Sequence, residues 1–340
     1  MHMTRPSDHP PIESGRIGVL LVNLGTPDDL SVRSVRRYLK EFLADPRVVE
    51  IPKLIWWLVL NGIILNVRPK KSAAAYAKIW RKAENESPLR YFTRKQAEKL
   101  ALTFPALTID YAMRYGQPNI PTQLAKMQAQ GCDRILVVPL YPQYSATTNA
   151  SVNDAVFDHL KSLRWQPTLR IAHPWYAQPA YIDALAKQVT DYLQTAAQAP
   201  DKILLSFHGL PKQSLQKGDP YYCHCQKTGR LLAEQLEKTE GEVIVTFQSR
   251  FGPAKWLEPY TSDTLAKLPE QGVKNLLVLT PGFATDCLET LEEIAIEGVE
   301  DFLKAGGQHC EVLPCLNDSD NGMALLNDIV TRELGGWYSE

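Results

Sequence analysis

The chain has 340 residues, 44% of them hydrophobic and 22% charged, which suits a soluble globular protein of two domains. Its formal net charge of −1 supplies no basic field, so nucleic acid is excluded as a partner. Six cysteines scattered over this length argue against a secreted disulfide scaffold and for a reducing cytoplasm.

In chain order, Met1–Ser14 is polar and proline-rich and reads as a loose tail. A first strand is expected within GVLLVNLGTP (18–27). The run Ile55-Trp56-Trp57-Leu58-Val59-Leu60-Asn61-Gly62-Ile63-Ile64-Leu65 is nearly all apolar, yet about half the roughly 20 residues a spanning helix needs. Its paired tryptophans, with Lys53, Lys70 and Lys71 nearby, suit a membrane interface. A buried core helix fits the length equally well. Further strand ends fall in IDYAMRYGQP (109–118), QGCDRILVVPLYP (130–142), KILLSFHGLP (202–211), VTFQSRFGP (245–253) and QGVKNLLVLTPGF (271–283). They alternate with helix-like segments, the pattern of βα units around a parallel sheet.

These strand ends match in pairs and in order. Gly25 and Pro27 answer to Gly209 and Pro211, Arg114-Tyr115-Gly116 to Arg250-Phe251-Gly252, and Gln130-Gly131 to Gln271-Gly272. The duplication predicts two similar Rossmann-like α/β domains with parallel sheets, residues 15–165 and 166–335, joined within 164–176. The first half carries about 48 extra residues between its first two matched ends, and the apolar run lies in this insert, about 50–85. Open parallel sheets bind ligands beyond the carboxyl ends of their strands, so the site is expected in the interdomain cleft. No G-x-G-x-x-G or P-loop follows a strand, and no nucleotide is expected.

His208 closes the strand Ile203–Phe207, where the other half has Leu24. An imidazole there is a candidate base, against the plainer reading of a histidine capping a strand. Asp286, Glu289, Glu293 and Glu297 follow the strand Leu276–Leu279 at spacings that place them on one stripe of an α-helix. No Lys or Arg occurs from Asp286 to Glu300, so the stripe reads as a track for a divalent cation, or else as an acidic solvent face. His208 with Glu289 makes an incomplete metal site, one that holds and releases an ion. Tyr115, Tyr141, Tyr144, Phe251, Trp256 and Phe283, with Arg114, are expected to line a flat apolar cleft with a cation for an acidic substituent. Cys223-His224-Cys225 is poorly spaced for a chelate, and no iron–sulfur cluster is expected from it with Cys310 and Cys315.

Over nearly its whole length the chain resembles the bacterial ferrochelatases. The resemblance rests on LVNLGTP (21–27), ESPLRYFTRKQ (86–96), MRYGQP (113–118), YPQYSATT (141–148), LSFHGLP (205–211), GDPY (218–221), FQSRFGPAKWLEP (247–259) and GFATDCLETLEEI (282–294). It implies a chelatase fold and a lyase that inserts Fe²⁺, a substrate, into protoporphyrin IX with release of two protons, the last step of haem biosynthesis. It places the family's histidine on His208 and its catalytic glutamate on Glu289, both at the metal. The acidic chain leading to them falls on Asp286, Glu293 and Glu297, with Ala295 in place of a further rung. The arginine–tyrosine pair falls on Arg114 and Tyr115, and the far face of the porphyrin on Leu24; Tyr144, Trp256 and Phe283 are expected as further walls. The insert resembles the lips of the cleft. This implies a cytoplasmic protein touching the inner membrane peripherally through Ile55–Leu65, or an upstream haem-pathway enzyme. Some relatives hold an iron–sulfur cluster on a C-terminal cysteine set that this sequence lacks. The alternatives are a chelatase for coproporphyrin III or another tetrapyrrole, and a non-catalytic tetrapyrrole carrier.

Overall fold

The computed structural model describes residues 8–9, 12–239 and 241–338, so most of the expected tail over Met1–Ser14 lies outside the described residues. β1 (Arg16–Gly25), β2 (Thr108–Tyr115), β3 (Cys132–Pro139) and β4 (Thr168–Ile171) form one parallel sheet in the order β2-β1-β3-β4. β5 (Lys202–His208), β6 (Val243–Gln248), β7 (Asn275–Leu279) and β8 (His309–Val312) form a second, in the matching order β6-β5-β7-β8. Helices cover both faces of each sheet's central strand, which is why β1 reads as an unbroken apolar run: Val19, Leu20, Leu21 and Val22 are all 0% exposed. β4 pairs with β3, so the first sheet runs past the expected domain break at residue 165.

Register identifies the true counterparts in the duplication. Asn23 lies beside Met113, and Phe207 beside Phe247. Two residues further along each strand pair, Gly25 meets Tyr115 while Gly209 follows the His208–Gln248 pair toward Ser249. Ser249, not Phe251, therefore corresponds to Tyr115. The bond from Met113 N to Pro118 O recurs as Phe247 N to Pro259 O, with a longer loop intervening. That loop displaces the Arg250-Phe251-Gly252 likeness by two positions.

The matched glycines are required where strand ends touch. A Cβ on Gly25 (φ +114) would stand 1.7 Å from Tyr115 O, and one on Gly209 would stand 2.6 Å from Gln248 O.

The insert is a helix (Lys53–Val59), a π-helical turn (Leu60–Ile64) and a longer helix (Leu65–Ile79). Leu60, Leu65, Ala73 and Tyr76 bury against Val35, Tyr38, Leu39 and Leu43 of the helix Val32–Ala44. The tryptophans part company: Trp56 turns inward and donates to Leu43 O at 2.6 Å, while Trp57 is 59% exposed. Leu54, Ile55, Leu58, Ile63 and Val67 are exposed with it, so the core-helix reading fails for this face. Among the described residues no helix is long and apolar enough to cross a membrane.

The two halves are joined through buried polar contacts. Asn23 Nδ2 donates to Thr285 Oγ1 at 3.0 Å, and Gln96 Nε2 donates to Asn317 O at 2.7 Å.

Candidate active site

His208 is half-buried at the carboxyl end of β5. Its Nδ1–H donates to Gly209 O at 2.7 Å, which leaves the Nε2 lone pair as the acceptor. Gln248 lies beside His208 in the sheet. The Gln248 amide donates to Glu289 O at 2.7 Å and to the Glu293 carboxylate at 3.2 Å. Its carbonyl accepts from Ser206 Oγ at 2.7 Å. One amide thus fastens the acidic helix to the strand end that carries His208. Ser249 reinforces this: its N–H donates to Glu293 Oε1 at 2.6 Å and its hydroxyl to Oε2. To do so it adopts φ +63, a left-handed conformation rare and strained for a residue with a Cβ.

The acidic segment Glu289–Gly298 is a π-helix. Bonding i to i+5 gives more than four residues per turn, so Glu289, Glu293 and Glu297 still keep close to one face. Asp286 does not belong to that stripe. It precedes the helix, is 5% exposed, and accepts from Thr290 Oγ1 (3.0 Å), Cys315 N (3.1 Å) and Asn317 Nδ2 (2.6 Å). The expected row of four carboxylates on an α-helix is corrected to three on a π-helix, with Asp286 anchoring its approach. Glu292, outside the stripe, pairs with Lys78 of the insert at 2.7 Å. Desolvation, then the neighbouring Glu292 carboxylate, raises the pKa of Glu297 above the ordinary carboxylate value.

Glu289 and Leu24 line one recess between the halves, with Gly25, Thr26, Tyr38 and Tyr76 on one side and Cys287 and Leu288 on the other. Tyr38 and Tyr76 meet edge-on, ring centroids 6.5 Å apart. Burial, with added repulsion from Glu289, pushes both phenols above their ordinary pKa and keeps them protonated. Leu24 and Phe283 pack on the same small cluster of Leu89, Met113 and Cys287, so both come to this junction.

Trp256 stands beside the His208 strand end, its Cε3 3.1 Å from where a Gly209 Cβ would be. Its Nε1 is buried without a hydrogen-bond partner. Tyr144 is half-buried, and its N–H donates to His224 Nδ1 at 3.2 Å.

Arg114 and Tyr115 differ from expectation. Tyr115 is 0% exposed and offers no ring face to a cleft. Its hydroxyl donates to Asp45 Oδ2 at 2.8 Å, the same oxygen that accepts from Arg114 (2.6 Å) and Ser151 Oγ (2.6 Å). The Arg114 charge is therefore balanced inside the protein rather than held ready for an acidic substituent. Burial acts to raise the Asp45 pKa, but the bonds from Ser151, the Arg47 backbone and Tyr115, with the Arg114 charge, hold it below its ordinary value.

Sequence reasoning missed Asp45, Tyr38, Tyr76, Gln248, Ser249 and Lys78. Gln248 and Ser249 carry a findable signal, since they sit at a strand end beside that of His208. The others come from helices far along the chain, with no local pattern. Among the described residues, no three His, Cys, Asp or Glu side chains are grouped to hold a metal ion.

The ferrochelatase family profile matches residues 16–334. The curated ferrochelatase of Agrobacterium fabrum is 52% identical over 335 residues, covering 98% of this chain and 97% of the relative. That of Rhizobium meliloti is 53% identical over 338 residues, covering 98% and 100%. Among solved structures, SirB from Bacillus subtilis with Fe³⁺ matches with a TM-score of 0.54 at 12% identity, over 94% of this chain and 96% of that one. CbiX, described as the terminal enzyme of sirohaem biosynthesis in denitrifying bacteria, matches with a TM-score of 0.52 at 15% identity, over 93% and 98%. At such identities these two support the fold alone, a two-sheet chelatase architecture. The family match and the full-length relatives carry the rest: the chain belongs to the ferrochelatase family, porphyrin metal chelatases of the lyase class whose substrates are ferrous iron and a porphyrin.

Proposed function

We propose that the porphyrin is protoporphyrin IX, and that it is metallated in the cleft between the Leu24 and His208 strand ends. In this reading His208 takes the pyrrole protons one at a time on Nε2, the atom its bond to Gly209 leaves as acceptor, and passes the first to solvent before it takes the second. Glu289 exchanges its carboxylate for the iron's water ligands, and Glu293 and Glu297 form the route by which the ion arrives. The ring gives up two protons as Fe²⁺ takes its four nitrogens, so charge balances without a redox step. Asp286, spent on Thr290, Cys315 and Asn317, has no part in the route.

The observation that carries the reading is the Gln248 amide, which ties the backbone of Glu289 and the carboxylate of Glu293 to the residue beside His208. This link supports a reading in which the proton acceptor and the cation route adjoin. The exposed face of Leu54, Ile55, Trp57 and Leu58, with Lys53 next to it, supports a peripheral seat on the cytoplasmic side of the inner membrane, where apolar protoporphyrin resides. An upstream haem-pathway enzyme is the other occupant this face suits.

The test is anaerobic mixing with Fe²⁺ and protoporphyrin IX, read as loss of porphyrin fluorescence, with coproporphyrin III in parallel. His208→Gln is expected to lower turnover at least about 100-fold while porphyrin binding persists. Native-like turnover in that variant removes His208 from the chemistry, and turnover with coproporphyrin alone overturns the substrate.

A further inference from the structure

The π-helix segment brings no cation of its own: from Asp286 to Glu300 there is no Lys or Arg. The insert of the other half supplies one. Lys78 Nζ, near the end of the helix Leu65–Ile79, lies 2.7 Å from Glu292 Oε1. The Glu292 side chain is 13% exposed and that of Lys78 is 47% exposed, so the pair sits where solvent meets the packed helix. The Lys78 charge also reaches Glu297 and Glu300.

Glu300 is paired with Lys304 at 2.9 Å, but Glu292 and Glu297 repel one another, and without a cation beside them the two would hold an incoming divalent ion just where it must not rest. A pinned monovalent cation offsets that charge without filling the route, and leaves the outer end shallow relative to the positions further in. An ion pair this exposed is weak, so it can part and re-form as ions pass.

We propose that Lys78 is a positioning residue for metal delivery, a tethered counter-cation that sets how tightly the outer carboxylates grip incoming ferrous iron. The inference rests on the reading of Glu289, Glu293 and Glu297 as the route. It adds a residue from the opposite half, on an element otherwise assigned to the porphyrin and the membrane.

The experiment measures KM for Fe²⁺, KM for porphyrin and kcat on the full chain, for Lys78→Met, Lys78→Arg and Glu292→Gln. Lys78→Met keeps the apolar stem and removes the charge. It is expected to lower the metal KM about fivefold, the effect of removing a unit charge about 8 Å from a divalent ion in water-like dielectric. kcat is expected to fall with it, because the ion leaves the outer end more slowly, while the porphyrin KM stays unchanged. Lys78→Arg should restore native values, and Glu292→Gln, which leaves Lys78 unneutralised, should raise the metal KM. A Lys78→Met metal KM equal to the native one overturns the proposal, as does a rise in both KM values together, the mark of a merely structural contact. Glu293→Gln separates the two readings. If it leaves the metal KM untouched, the route is wrong, whereas failure of Lys78→Met alone leaves the route standing.

Discussion

Asp45→Asn is the sharpest test of how the first half of the site is held. The side chain keeps its shape and loses its charge. In the native protein Arg114, Tyr115 and Ser151 all donate to Oδ2, and the Arg47 N–H donates to Oδ1 at 2.7 Å. An asparagine oxygen has two lone pairs for those three donors, and its NH₂ would face the Arg47 N–H, donor against donor. At least one buried donor is orphaned and one repulsive contact is created. The Asp45 side chain is 5% exposed and that of Arg114 is 18%, so the loss falls short of that for a fully buried pair, and about 2–4 kcal/mol is expected. Urea unfolding should show this as a lower midpoint at unchanged slope. The pH dependence supplies the second readout. The folded pKa of Asp45 is depressed below 3.8, so its contribution is present above about pH 4 and is lost as pH falls through the depressed value. The gap between native and variant should therefore be widest near neutrality and close in acid. A gap under about 0.5 kcal/mol at pH 7, or one equally wide at pH 3, refutes the reasoning.

The remaining predictions are simpler. Gly25→Ala would drive a methyl to 1.7 Å from Tyr115 O at φ +114, and should yield insoluble protein or a midpoint lowered by more than about 3 kcal/mol in urea. Trp57→Ser with Leu58→Ser, both at 59% exposed positions, should leave the urea midpoint within about 0.5 kcal/mol of native. The same double variant should lose binding to anionic lipid vesicles in flotation, and retained binding would remove the lipid assignment of the insert.

The doubled fold was legible because central strands buried on both faces write themselves as apolar runs, and because their ends need glycine where backbones touch. His208 stood out as an imidazole where its twin position is Leu24. The acidic stripe was legible as composition but not as geometry. A spacing of four residues nearly closes a turn in both α- and π-helices, so the sequence pattern does not distinguish them. Asp286 fits the same spacing by number alone, while the chain there has not yet entered the helix. The likeness of Arg250-Phe251-Gly252 to Arg114-Tyr115-Gly116 misleads for a related reason. Hydrogen bonds set register, and a loop of different length can slide a similar word along the strand. Asp45 was out of reach altogether, lying 69 residues from Arg114 at the end of another helix.

The cross-links between the halves divide into two kinds. Asn23 to Thr285 and Gln96 to Asn317 are buried hydrogen bonds, and parting them would leave polar groups unsatisfied in the interior. The insert touches the second half differently, through Glu50–Lys217, Lys78–Glu292 and the Arg68 guanidinium 4.9 Å above the Phe251 ring. Lys217, Glu50 and Phe251 are exposed, so water replaces what separation removes. Of the two kinds of contact, those of the insert are the less costly to separate. The buried bonds hold the Leu24 and Glu289 segments to a common frame. The alignment of the His208 strand end with the π-helix does not depend on the insert's exposed pairs: it rests on Gln248, Ser249 and the buried cluster that Ile294 shares with Leu204.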